Sequence, residues 1–179
     1  DGSGGDYFGY NVAISGDTVV VGALLDDTNG GDTGSVYIYQ FDESDWIQTK
    51  LTPYDGRTGD QFGASVAVSD VTVVVGASLN DDGGFASGSA YIYKLVDGSW
   101  IETKLLASDD DSHDNFGNSI AVSGETIVVG AYQDEDNGSD SGSAYIFYIE
   151  DTDGDGIPDT VDNCYLYNPD QADCNNNGF

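Results

Sequence analysis

Residues 60–77 read DQFGASVAVSDVTVVVGA. The same text stands 54 positions earlier as DYFGYNVAISGDTVVVGA (6–23) and 54 positions later as DNFGNSIAVSGETIVVGA (114–131). Each copy holds Asp-x-Phe-Gly, a short alternating run, a two-residue turn and a Val/Ile run closed by Gly-Ala. The spacing persists beyond it: Gly34-Ser35 recurs as Gly88-Ser89 and Gly142-Ser143, and Trp46-Ile47 recurs as Trp100-Ile101. A fixed period without insertion or deletion marks successive copies of one supersecondary unit.

Each unit reads as four strands. The first covers 11–15, 65–69 and 119–123. A two-residue turn leads to the second, 18–22, 72–76 and 126–130, whose unbroken Val/Ile run predicts burial on both faces. A Gly/Asp-rich loop precedes the third, 35–41, 89–95 and 143–149. The fourth, 46–51 and 100–105, reads Trp-Ile-x-Thr-Lys-Leu with one wetter face, as an outer strand should. Four antiparallel strands at constant period predict propeller blades. A sandwich of hairpins is the alternative, but it has no reason to keep the period. The third unit lacks its Trp-Ile strand, so the pattern contains eleven strands. The expected fold is therefore all-β: blades over 6–59, 60–113 and an incomplete 114–149, in a ring not closed within this chain. A coil-rich tail over 150–179 follows.

The pattern Asp-x-Phe-Gly-x-x-(Val/Ile)-Ala, Val-Val-Val-Gly-Ala, Gly-Ser-x-Tyr-Ile-Tyr and Trp-Ile-x-Thr-Lys-Leu resembles the FG-GAP repeat. That repeat builds the β-propeller of integrin alpha chains and of many secreted bacterial proteins. Integrin-type blades often carry a calcium loop between their first two strands. Here that position is a two-residue turn, so the resemblance is to the bacterial subtype and that loop's ligands do not transfer. In this fold a Phe wedges between blades and its Gly lets backbones approach.

Lys and Arg number 4 against 33 Asp and Glu, a formal charge of −29. The cations are Lys50, Arg57, Lys94 and Lys104, too few to engage phosphates, so nucleic acid is excluded as a partner. Membrane insertion is excluded too, since no apolar run approaches the ~20 residues of a spanning helix. With 12 Tyr, 7 Phe and 2 Trp the chain is not a disordered acidic tail. Its acids decorate a folded scaffold, and divalent cations are the remedy for so much like charge. The chain lacks Met and opens Asp-Gly-Ser-Gly-Gly; we expect a leader or longer N-terminal part before it.

Residues 151–162 read DTDGDGIPDTVD. Asp151, Asp153, Asp155, Asp159 and Asp162 hold positions 1, 3, 5, 9 and 12 of a loop, Gly156 the sharp turn, and the Ile157 carbonyl the seventh-position ligand. This spacing wraps oxygens around one Ca2+. Pro158 and the preceding blade argue against an EF-hand. Together with Asp162-Asn163-Cys164 and Asn168-Pro169-Asp170-Gln171, the segment resembles a thrombospondin type 3 repeat, which calcium and disulfides organise. Tyr165 stands where that family usually has Pro. Asp173, Asn175 and Asn177 look like the start of a second loop. Cys164 and Cys174 are the expected disulfide, which implies an oxidising compartment. Asn137-Gly138-Ser139 is a formal glycosylation sequon.

The acids after Gly-Ala, namely Asp26-Asp27, Asp81-Asp82 and Asp134-Glu135-Asp136, read as solvated surface, with calcium binding as the second reading. His113, the single His, reads as a solvated loop residue. Nothing singles out a nucleophile or an acid pair, so no catalytic residue is assigned. The expected role is a secreted, calcium-binding, structural or adhesive protein, as a self-assembling fibre subunit or as part of a larger surface protein. A ligand-binding propeller of a receptor or adhesin, taking a protein or glycan, is the alternative. The propeller domain of a secreted hydrolase is third. The partners expected are further copies of the chain or further blades of a longer one.

Overall fold

The computed structural model describes residues 3–136 and 138–149. Within them the chain forms eleven strands in three antiparallel sheets. The first sheet is β1 (Phe8–Ser15), β2 (Thr18–Ala23), β3 (Ser35–Phe41) and β4 (Trp46–Leu51) in sequential order. The second is β5 (Ser65–Ser69), β6 (Thr72–Ala77), β7 (Ser89–Val96) and β8 (Ser99–Leu105), again sequential. The third has only β9 (Phe116–Ser123), β10 (Thr126–Ala131) and β11 (Ser143–Tyr148). The described residues include no helix long and apolar enough to cross a membrane.

The registers of the units superpose. Val21 faces Tyr37, Val75 faces Tyr91 and Val129 faces Tyr145; Tyr37 in turn faces Lys50, and Tyr91 faces Lys104. Strand alternation gives every blade two apolar faces. The leading face of the second blade carries Phe62, Val66, Val68, Val73, Val75, Tyr91 and Tyr93. It packs on the trailing face of the first blade, Val20, Val36 and Ile38, in one continuous core. The second blade's trailing face, Val74, Ala90 and Ile92, packs in turn on Phe116, Ile127, Val129 and Phe147 of the third.

The Phe-Gly pair makes this stacking close. Phe62 and Phe116 are fully buried, and each ring meets a tyrosine of its own blade edge-on: Phe62 with Tyr91 at 5.4 Å and Phe116 with Tyr145 at 5.4 Å. Burying such a ring is worth roughly 1.5–3 kcal/mol. Parallel bridges tie Phe62 to Gly34 and Phe116 to Gly88 of the preceding blade. Gly63 has φ +93°, and a Cβ there would lie 2.7 Å from the Ser35 carbonyl oxygen. The hairpin turns are laced as well, with the Asp70 amide donating to Ser15 Oγ and the Gly124 amide to Ser69 Oγ.

Two expectations are corrected. The second strand is buried on both faces in the middle blade, but in the third Val128 is 37 % exposed, because among the described residues no blade covers its trailing side. The first strand also starts earlier than expected in the outer blades, at Phe8 and Phe116, where the Phe-Gly pair joins it through a bulge.

Candidate functional site

At one rim of the blades the chain leaves the second strand and makes the same turn three times. The amides of Asp26, Asn80 and Asp134 donate to the carbonyls of Ala23, Ala77 and Ala131. Their own carbonyls accept from the amides of Gly34, Gly88 and Gly142. This double anchor turns the side chain inward, where its Oδ1 accepts the amide two residues on: Thr28, Asp82 and Asp136. Asp26, Asn80 and Asp134 are consequently buried. The reading of these loops as solvated surface is therefore overturned for Asp26 and Asp134. It holds for the outer positions Asp27, Asp81 and Glu135.

In the first two blades a lysine of the fourth strand fills the pocket so formed. Lys50 Nζ lies 2.8 Å from Asp26 Oδ2 and 2.8 Å from Thr28 Oγ1. The Ser35 and Tyr37 hydroxyls also donate to that carboxylate. Burial pushes the Asp26 carboxyl up, but the hydrogen bonds of Lys50, Thr28 and Ser35 outweigh it and hold it well below the usual range. In the second blade Lys104 Nζ lies 2.6 Å from Asp55 Oδ2 and 3.4 Å from Asn80 Oδ1, and it also meets Asp82. Arg57 adds a second cation 2.8 Å from Asp82. Burial pushes the Lys104 ammonium down, but Asp55 and then Asp82 outweigh it and raise it, and Lys104 in turn lowers the Asp82 carboxyl.

The third blade repeats the acids without the cations. Asp109, Asp134 and Asp136 correspond to Asp55, Asn80 and Asp82, and each offers an oxygen within 4.8 Å of the others. Asp111 replaces Arg57, and the described residues hold no fourth strand beside β11 to bring a lysine. The Tyr145 hydroxyl lies 2.6 Å from Asp109 and 2.7 Å from Asp134, with one proton to donate between them. That bond keeps the Asp134 carboxyl low. Asp136 is pushed up, first by sharing a proton with Asp109 and then by repulsion from Asp134. Asp114 is pushed up mainly by burial and then by neighbouring acids. Around them Asp111, Ser112, Asp114, Asp134, Glu135 and Asp136 line a cleft of ≈ 330 Å³. An all-oxygen, anionic donor set of this kind suits a hard cation or an ammonium group.

Neither Lys50 nor Lys104 was singled out from the sequence as a site residue. The available signal was their position: two of only four cations fall at equivalent points of the repeat, each 24 residues after Asp26 or Asn80. His113 is exposed with φ +78°, in the place of Gly59, and its ring leans on Phe85 at 5.3 Å. The tail ligands Asp151, Asp153, Asp155, Ile157, Asp159, Asp162, Asp173, Asn175 and Asn177 lie outside the described residues, as do Cys164, Cys174 and Asn137.

Two four-stranded sheets and one three-stranded sheet, stacked through Phe-Gly contacts, define a β-propeller type of architecture, unclosed among the described residues. The family comparison agrees: the model of the FG-GAP repeat matches residues 1–39, 46–93 and 100–147. The chain belongs to the FG-GAP repeat family. The matched segments of the second and third units begin at the preceding fourth strand, so the family's unit joins the outer strand of one sheet to the next blade. A search of the curated proteins finds no match to the chain.

Proposed function

We propose that this chain is an extracellular, calcium-binding, non-enzymatic structural or adhesive protein whose blades associate head to tail with another copy. One observation carries the reading. Its two outermost faces are the two halves of an interface that the chain already builds twice. The leading face of the first blade presents Phe8, Val12 and Ile14, the equivalents of the buried Phe62, Val66 and Val68. The trailing face of the third presents Val128 and Ile146, the equivalents of the buried Val74 and Ile92. Among the described residues both faces are open, with Ile14 71 % and Ile146 63 % exposed. An exposed apolar face of this kind marks an interaction surface.

A contact between unlike faces is heterologous, and it grows into a ring or a filament according to the rotation per step. Two copies of the three described blades would make six, within the usual four to eight of closed propellers. Other rotations give a fibre. The extracellular placement is supported by the family, whose repeats typify surface and secreted proteins, and by the pairing expected of Cys164 and Cys174. Calcium is supported by the acid content and by the Asp151–Asp162 spacing. Sedimentation velocity of the full chain with calcium tests the assembly. Species heavier than 18.8 kDa are expected, and a concentration-independent monomer contradicts the reading.

The acidic cleft of the third blade favours a second reading, a ligand-binding propeller that takes a cationic ligand at the rim. Under it the monomer would bind such a ligand without association.

A further inference from the structure

We propose that the open edge of β11 binds, antiparallel, an extended segment with the fourth-strand pattern aromatic-Ile-x-Thr-Lys-Leu. Its lysine ammonium lodges among Asp109, Asp134 and Asp136. This goes beyond the assembly reading above, since it concerns a strand edge and not a blade face, and it names the chemistry of the partner segment.

The first support is the sheet itself. β3 and β7 are each covered by a fourth strand, whereas β11 is the last strand of its sheet among the described residues. An uncovered strand presents a row of unpaired amides and carbonyls that templates another strand. The second, independent support is the repeat. The residues equivalent to Asp109, Asp134 and Asp136, namely Asp55, Asn80 and Asp82, enclose an ammonium in the second blade, and in the first Asp26 and Thr28 do the same. The occupant of this cluster is thus read from two filled copies within the same molecule. A lysine also answers the mutual repulsion at Asp136, which in the second blade is absent because Lys104 and Arg57 stand beside Asp82.

The register follows from the filled blades. Tyr37 faces Lys50 and Tyr91 faces Lys104, so the incoming lysine faces Tyr145. Its ammonium then stands over the Tyr145 ring, as Lys50 stands 5.1 Å from the Tyr37 centroid and Lys104 5.2 Å from that of Tyr91. Leu falls opposite Ala144, Thr opposite Ile146, Ile opposite Tyr148 and the aromatic residue opposite Ile149. Ser99–Leu105 shows what such a strand requires: Ile101, Thr103 and Leu105 on one side, Trp100 and Lys104 on the other, with the lysine one residue before the final leucine.

The test uses the full chain and a labelled synthetic peptide copying residues 99–106, SWIETKLL, titrated by fluorescence anisotropy. Saturable binding is expected, weakened at least tenfold when the peptide carries Lys104→Ala. That change leaves the protein untouched, so folding is not at issue. The chain variant Asp109→Asn/Asp136→Asn, altered at two exposed positions, should weaken the unmodified peptide at least tenfold. Absence of saturable binding, or equal binding of the Lys104→Ala peptide, would overturn the proposal. So would calcium binding that the double variant abolishes while no peptide binds, an outcome that assigns the cluster to the metal. If the chain associates by mass but the peptide fails, the assembly reading stands and this inference alone falls.

Discussion

Lys104 faces Tyr91 across the β7–β8 pair, its Nζ 5.2 Å from the ring centroid, and from there it reaches the carboxylates of Asp55 and Asp82. The ammonium is largely buried, with 12 % of the side chain exposed. Tyr145 repeats Tyr91 in the third sheet with the acids in place and no facing lysine among the described residues. The blades are thus alike in fold and unlike in charge.

The lysines should matter to stability in proportion to the charge each leaves behind. Lys104→Met leaves Asp55 without a cation in a half-buried pocket, while Asp82 keeps Arg57. The expected loss is about 2–3 kcal/mol, above an exposed pair and below a fully buried one. Lys50→Met strands the single buried Asp26 and should cost about 2 kcal/mol. Urea denaturation monitored by tryptophan fluorescence measures both. Losses under about 0.5 kcal/mol would show that these pockets are solvated.

Close approach, rather than turn conformation alone, should explain the glycines of Phe-Gly. Gly63 and Gly9 share a left-handed backbone, φ +93° and +88°, but only Gly63 lies against a neighbouring blade. Gly63→Ala should cost about 2–4 kcal/mol, combining backbone strain with overpacking, and Gly9→Ala about 1–2 kcal/mol from strain alone. Equal losses by thermal or urea melting would contradict the close-stacked interface.

The pH dependence should differ in sign between the outer blades. Asp26 is lowered in the folded chain, so its contribution is complete above the ordinary value of 3.8 and is lost as pH falls through the folded value. Asp114 and Asp136 are raised from 3.8, so they subtract stability at neutral pH and cease to do so once protonated. Asp109→Asn/Asp136→Asn should therefore raise the urea midpoint at pH 7, with the gain fading as pH falls toward 3.8. A gain that grows on acidification would have the wrong sign.

Calcium should act chiefly beyond the blades. Asp153→Ala and Asp155→Ala are expected to remove most high-affinity calcium binding by titration calorimetry, because they delete ligands from the regularly spaced loop. Asp109→Asn/Asp136→Asn should leave that affinity unchanged. Labelling of the unreduced, unfolded chain should find no thiol at Cys164 or Cys174.

The fold was legible because burial leaves a periodic trace. Val73 to Val75, Phe62 and Tyr91 all face packed neighbours, and each recurs at the repeat spacing. The rim was less legible. Asp26 and Asp27 are adjacent and chemically identical, yet one is buried under Lys50 and the other exposed, a difference set by the Ala23 and Gly34 backbone bonds. Asn80 in the place of Asp26 further hid the correspondence. Even so, Lys50 and Lys104 had marked the site by their shared place in the repeat.

The central claim is that unlike faces of the terminal blades join copies head to tail. Mass measurement in solution on two exposed-face variants, alone and mixed, tests it most directly. Ile14→Glu spoils the leading face of the first blade, and Ile146→Glu spoils the trailing face of the third. Each variant alone should be monomeric, and an equimolar mixture should give a dimer and nothing larger, since only one pair of intact faces remains. Continued association of either variant alone, or a mixture that stays monomeric while the parent chain associates, would contradict the account.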